Sequence, residues 1–164
     1  MANLEPLIQS IPVAPLKLAS LEGCRTLADQ VNNYLVSFRH ESPTNVGQAD
    51  SLQGYCADSY LLECECPRFG SGEGKGVLKE SVRGCDLFIM VDVTNYSLTY
   101  RVNGYENHMS PDNHYQDLKR IISAADGKAR RINVIMPFLY EGRQHKRSKR
   151  ESLDCALMLQ DRKS

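Results

Sequence analysis

The sequence has no apolar run near the ~18 residues that a membrane span requires. Its N-terminus shows no charged flank leading into an apolar stretch. It carries no net charge, because 20 Lys and Arg balance 20 Asp and Glu. That balance argues against a long nucleic-acid track, which needs an extended excess of cations. No Cys-x-x-Cys pair occurs among the six cysteines, so a structural zinc site and a metal-ligand set are not expected. There is no Gly-x-Ser-x-Gly elbow and no His-Glu-x-x-His. The glycine-rich stretch FGSGEGKG at 69–76 is no P-loop either, since Gly76 follows Lys75 where Ser or Thr is required. These absences predict a soluble, cytoplasmic protein with all six thiols reduced, no membrane partner and no nucleic-acid partner.

What is present fits one domain. A chain of 164 residues can bury roughly 70% of its unfolded surface without disulfides or metals. The charge is unevenly placed. Residues 128–150 hold eight basic side chains and one acidic, Glu141, leaving 12 basic and 19 acidic on the other 141 residues. A local basic stretch on a neutral protein suits a phosphate-bearing small ligand, or is simply a solvated loop.

Pro6, Pro12 and Pro15 disfavour regular structure, so residues 1–15 are expected to be an irregular segment leading into a single α/β domain over 16–164. A helix is expected from Ser20, which can N-cap it, with Cys24, Leu27, Ala28, Val31, Tyr34, Leu35 and Phe38 on one face. Residues 39–58 are polar and aperiodic and read as a long loop. Strand signals occur at 59–66 and 77–80, flanking the glycine-rich stretch, which reads as a flexible hairpin loop. LFIMV at 87–91 and INVIM at 132–136 are continuous apolar runs, the pattern of parallel strands covered on both faces. Between them Ser110, Pro111 and Asp112 begin a helix with Tyr115, Leu118, Ile122 and Ala125 inward, and Gly127 ends it. Strand, crossover helix, strand defines a right-handed βαβ unit. Asn103-Gly104, between Leu98–Val102 and Tyr105–His108, predicts a β-hairpin near 97–107. A last helix is expected over 151–160, carrying Leu153, Ala156, Leu157 and Leu159.

In an open parallel sheet, ligands collect beyond the carboxyl ends of the strands. Asp92–Asn95 follows the first buried run and PFLYEGRQHKRSKR, 137–150, the second. Arg143 is a fork donor for phosphate, and the Gln144 amide can both donate to and accept from a nucleobase edge.

Three blocks, RFGSGE (68–73), ESVRGCDLFIM (80–90) and RINVIMPFLYEGRQHKR (131–147), together resemble the N-terminal half of ribose-phosphate diphosphokinase. The resemblance covers about residues 60–160, with looser similarity at 16–38. It implies a phosphoribosyltransferase-like, Rossmann-like three-layer fold with a mostly parallel sheet, and transfer of diphosphate from Mg·ATP to ribose 5-phosphate in a homo-oligomer. It implies that Phe69 stacks on adenine, that Glu73 helps bind it, and that Arg143 and Gln144 contact the nucleotide. Lys146 stands where the family usually has arginine. Ser71 and His145 replace two family aspartates and become possible contacts, as does Arg147. The 96–109 segment is an insertion against the family pattern. The family's catalytic lysine flap, metal-proximal histidine and ribose-5-phosphate loop have no counterpart in these 164 residues. The chain is therefore expected to be inactive alone, as half of an ATP site and an interface, or else a non-catalytic, diphosphokinase-like regulatory or assembly subunit.

Overall fold

The computed structural model describes residues 13–41 and 54–160. Most of the expected irregular segment, and residues 42–53 of the expected polar loop, lie outside these. In chain order the elements are β1 (Leu16–Ser20), α1 (Arg25–Glu41), β2 (Leu61–Leu62), β3 (Cys64–Glu65), β4 (Val77–Leu78), β5 (Asp86–Met90), β6 (Thr99–Val102), β7 (Tyr105–His108), α2 (Pro111–Ala125), β8 (Arg131–Ile135) and α3 (Asp154–Gln160). Four parallel strands form one sheet in the order β2-β1-β5-β8, while β3-β4 and β6-β7 are separate antiparallel pairs. The central register runs from Leu16 opposite Asp86 to Ser20 opposite Met90.

The LFIMV run is continuous because both faces of β5 are covered. Successive side chains alternate across a strand. Leu87 and Ile89 therefore meet Leu118, Ile121 and Ala125 of α2 and Met158 of α3 on one face. Phe88 and Met90, with Leu18, meet Cys24, Ala28 and Val31 on the other. Leu87 and Ile89 are wholly buried, each contributing about 1.5–3 kcal/mol of transfer free energy. At the amino end of β5, buried Asp86 accepts from Arg131 Nε and Nη2 (2.9 and 2.5 Å) and from Asn133 Nδ2 (2.8 Å), which pins the neighbouring strand β8 in register.

Several expectations are corrected. Ser20 does not cap α1: its pairing with Met90 keeps it extended, and a 3-10 turn over Glu22–Cys24 precedes the helix. The inward face of α1 holds Ala28 and Asn32, whereas Tyr34 is 62% exposed and Leu27 also faces out. Asn32 takes an inward position because its Oδ1 accepts from the Tyr60 amide (2.8 Å) and Ser59 Oγ (3.4 Å), tying the helix to the entry of β2. The strand expected over 59–66 breaks at Glu63. Leu61–Leu62 joins the parallel sheet, while Cys64–Glu65 leaves it to pair with Val77–Leu78. β8 is an edge strand and is only partly covered. α3 starts at Asp154 rather than Glu151 and turns Cys155 and Met158 inward, leaving Leu157 57% exposed.

The other elements form where expected. Ser110 Oγ accepts from the Asn113 amide (3.2 Å), Pro111 opens α2, and Asp126 and Gly127 close it with positive φ. Ile121 packs inward beside the anticipated Tyr115, Leu118 and Ala125, and Ile122 is partly covered against the same core. Asn103 (φ 52°) and Gly104 (φ 83°) turn the β6-β7 hairpin, as a two-residue turn of that sequence requires. No described helix is long and apolar enough to cross a membrane.

Candidate functional site

The sheet order places a switch point between β1 and β5, since the chain leaves β1 for one edge and β5 for the other. The loop beyond β5 is built from two Asx turns. Asp92 Oδ1 accepts from the Thr94 amide and Oγ1 (2.8 and 2.7 Å), and Asn95 Oδ1 accepts from the Ser97 amide and Oγ (3.1 and 2.6 Å). Buried His114 of α2 donates through Nε2 to the Asn95 carbonyl at 2.8 Å. Gly23, after β1, lets the two loops approach: a Cβ there would stand 3.3 Å from Asn95 Nδ2. Beside this crevice is a cavity of about 530 Å³, walled by Arg25, Cys64, Arg68, Tyr100, His114 and Asp117 among others.

The glycine-rich stretch joins β3 to β4 and follows directly on Pro67 and Arg68, which line the cavity. The Phe69 amide donates to Glu73 O (2.7 Å) and the Gly72 amide to Phe69 O (2.9 Å), with Gly72 at φ 90°. The Phe69 ring is 52% exposed, and Ser71 Oγ donates to Glu73 Oε2 at 2.8 Å. Beneath the loop, buried Asp117 accepts from Arg68 Nη2 (2.8 Å) and Arg120 Nη1 (2.6 Å). A Cβ on Gly76 would lie 2.4 Å from the Arg120 carbonyl oxygen, and one on Gly74 would lie 2.6 Å from Arg68 Nη1. Glycine is needed at 76 for close packing on the α2 backbone, whereas at 74 the neighbours are the ends of arginine side chains. The hairpin-loop reading holds, but at its base this loop is seated rather than free.

The basic segment follows β8. Its root is Tyr140, whose ring stacks on Tyr115 at 4.4 Å and whose hydroxyl donates to Asp112 Oδ1 at 2.6 Å. Burial first, and then that bond, hold the phenol's pKa above its ordinary value. Gln144 Nε2 donates to Ser152 O (2.8 Å) and its main-chain carbonyl accepts from the Cys155 amide (3.3 Å), so this residue clasps the segment to α3. His145 Nδ1 donates to Gly142 O at 3.1 Å, and Ser148 Oγ donates to Glu151 Oε2 at 2.9 Å. Arg143, Lys146, Arg147, Lys149 and Arg150 are exposed. Among the described residues no ion pair engages them, so their positive potential is open to an anion.

The structure thus brings the candidates into two groups. Phe69, Ser71 and Glu73 share one loop; Arg143, Gln144, His145, Lys146 and Arg147 share another. Among the described residues no hydrogen bond or ion pair joins them. Sequence reasoning missed Arg68, Tyr100, Asp117 and Arg120. The available signal was Asp117 itself, a charged residue in the inward stripe of α2 beside His114, Leu118 and Ile121. Covalent chemistry at Cys24, Cys64 and Cys66 is disfavoured. Burial raises Cys24 and Cys64 to about 11 and Cys66 to about 12, and the Cys64 and Cys66 thiols donate to the carbonyls of Ser20 and Asp117. Protonated thiols are poor nucleophiles.

A twice-flanked parallel sheet with loops gathered beyond its carboxyl ends is a three-layer, Rossmann-like α/β domain. A crystal structure of phosphoribosylpyrophosphate synthetase from Mycobacterium smegmatis shares this fold, with a TM-score of 0.56 and 22% identity, over 92% of this chain and 40% of that one. The family model for the N-terminal domain of ribose phosphate pyrophosphokinase matches residues 16–161. The chain belongs to that family and spans two fifths of the length of the matched synthetase. No curated protein sequence matches it significantly.

Proposed function

We propose that this chain supplies the nucleotide-binding half of a ribose-phosphate diphosphokinase. The complete reaction joins the 1-hydroxyl oxygen of ribose 5-phosphate to the β-phosphorus of ATP. It breaks that phosphorus's bond to the bridging oxygen, which leaves with AMP, and the hydroxyl proton passes to solvent. The carrying observation is the family match across 16–161, with Phe69 presented on the glycine loop and five exposed cations, without an ion pair among the described residues, on the segment after β8. Phe69 offers a face for adenine, and the Glu73 carboxylate can accept from its exocyclic amine. Arg143, with Lys146 and Arg147, neutralises the polyphosphate, and Gln144 keeps its carboxamide oxygen for the nucleotide. Ser71 and His145 contribute by holding Glu73 and the 142–145 turn. Cations around a migrating diphosphoryl group lower the barrier because they are set before charge develops.

ATP would bring Mg²⁺, which spreads polyphosphate charge. Among the described residues no group of three or more His, Cys, Asp or Glu could hold a metal ion, so no step is assigned to the metal on this chain. Membership of the family favours a homo-oligomer in which one chain's glycine loop serves its neighbour's site. The protein would work in the cytoplasm, where ATP and ribose 5-phosphate are available, and residues 16–164 would act as one domain.

The test is ATP binding and ribose-5-phosphate-dependent AMP release by the purified chain. Saturable binding weakened at least tenfold by Arg143→Ala or Phe69→Ala, without AMP release, is expected. Turnover in the ordinary range of about 1–10³ per second would show that the chain is a whole enzyme, and absence of ATP binding would refute the nucleotide role.

A further inference from the structure

The glycine loop and the β6-β7 hairpin are distant in sequence but adjacent in space. Along β6, Tyr100 and Val102 share the partly buried face, while Thr99 and Arg101 are exposed. The Arg68 guanidinium lies over the Tyr100 ring at 5.1 Å. A Cβ on Gly72 would meet Val102 Cγ2 at 3.4 Å, so the loop's turn rests against that side chain. The hairpin is itself anchored at its root. The Met109 amide donates to Leu98 O (2.8 Å), the Tyr96 and His108 rings stack at 4.5 Å, and His108 Nδ1 donates to Tyr96 O (2.9 Å). Thr99 Oγ1 donates across the hairpin to Glu106 Oε1 at 2.7 Å.

We propose that the β6-β7 hairpin is a positioning arm that holds the glycine loop in its nucleotide-ready shape through Tyr100 and Val102; this rests on the nucleotide role given to Phe69 and Glu73. Arg68 is the coupling residue. Its guanidinium is gripped by Asp117 and covered by Tyr100, and its backbone leads directly into Phe69. The Phe69 amide closes on Glu73 O, so fixing Arg68 also fixes the relative placement of Phe69 and Glu73. A loop ordered before the ligand arrives loses less conformational freedom on binding, which raises affinity without a new contact. Tyr100 and Val102 are positioning residues: the described geometry connects them with the loop and its turn.

The test compares Tyr100→Leu, which keeps apolar bulk and removes the ring, with Tyr100→Phe, which keeps the ring, both in the full chain. Hydrogen exchange is read at the Gly72 and Phe69 amides, with β1 and β5 amides as internal controls for global stability, and ATP affinity is measured by calorimetry. Tyr100→Leu is expected to accelerate exchange at the loop amides about fivefold, the scale of a partly desolvated cation–π contact. The control amides should not move, and ATP affinity should weaken by a similar factor. Tyr100→Phe should match the parent within about twofold, since the ring face is unchanged. Unchanged loop exchange in Tyr100→Leu would overturn the proposal, as would faster exchange with ATP affinity intact. A parent chain with no saturable ATP binding would instead overturn the nucleotide reading, and the exchange data would still decide whether the arm holds the loop.

Discussion

Replacing Gly76 with alanine tests whether the glycine-rich loop is flexible or seated. The added Cβ would stand 2.4 Å from the Arg120 carbonyl oxygen, 2.5 Å from its carbon and 2.9 Å from the Ile121 nitrogen. All three atoms belong to the backbone of α2, so no rotamer change relieves the clash. Ordinary contact begins near 3.4 Å, so β4 or α2 must shift by about 1 Å, loosening either the Cys64–Leu78 and Glu65–Val77 pairing or the Ile121 packing. Overpacking of this kind costs about 1–3 kcal/mol, and an unyielding backbone contact puts Gly76→Ala at the upper end, about 2–3 kcal/mol. For a domain of this size that is about 5–10 °C in Tm. Gly74→Ala meets the ends of two arginine side chains, which can give at the expense of their bonds to Asp117, so about 1–2 kcal/mol is expected. Gly70→Ala meets nothing within 4 Å and its φ is ordinary. It should be neutral, or stabilise by about 0.4–1 kcal/mol through the unfolded chain. Urea unfolding of the three variants provides the measurement. Equal stabilities for Gly76→Ala and Gly70→Ala would refute the seated loop.

Asp117→Ala leaves the Arg68 and Arg120 guanidinium groups without their shared carboxylate and should cost about 3–5 kcal/mol in urea unfolding, as for other broken buried ion pairs. Ser110→Ala removes the oxygen that accepts from Asn113 and should cost about 1 kcal/mol in the same assay. The thiols Cys24, Cys64 and Cys66 ionise at higher pH folded than unfolded, so above pH 9 the native state holds more protons than the unfolded one. Their contribution is full below pH 9 and falls as pH rises through about 11 to 12. The urea midpoint should decline across that window, and Cys24→Ala with Cys64→Ala should flatten the decline.

Local signals were legible where the structure itself is local. Ser110-Pro111-Asp112 opens α2, and Asn103-Gly104 turns the β6-β7 hairpin, because capping and turn geometry act within four residues. The LFIMV run announced a strand covered on both sides. The RFGSGE and RINVIMPFLYEGRQHKR blocks carried the family that the match over 16–161 then established. What misled was decided by distant partners. Ser20 looks like a cap until Met90 holds it in a strand, and Asn32 looks solvent-facing until the Tyr60 amide needs an acceptor. Leu157 and Leu159 read as a buried face, yet the core receives Cys155 and Met158 instead. The support beneath the candidate loop was hidden for the same reason. Arg68, Tyr100, Asp117 and Arg120 form no motif along the chain, and only the meeting of β3, β6 and α2 makes them one unit.

The pairing of β1 with β5 also constrains how the chain folds. Leu16 lies opposite Asp86, 70 positions later, whereas Tyr100 lies opposite Asn107 and Val102 opposite Tyr105. Closing a long loop costs entropy before any contact repays it, and ladders between distant segments form slowly. The β6-β7 hairpin and α2 can assemble on the microsecond scale from their own residues. The central ladder must wait for the two ends of that long loop to meet. During synthesis β1 emerges first and has only the two-residue β2 to pair with until β5 has left the ribosome. Over that interval the β5-facing edge of LKLAS stays open, and the ladder beside the switch point cannot close however early β2 has docked.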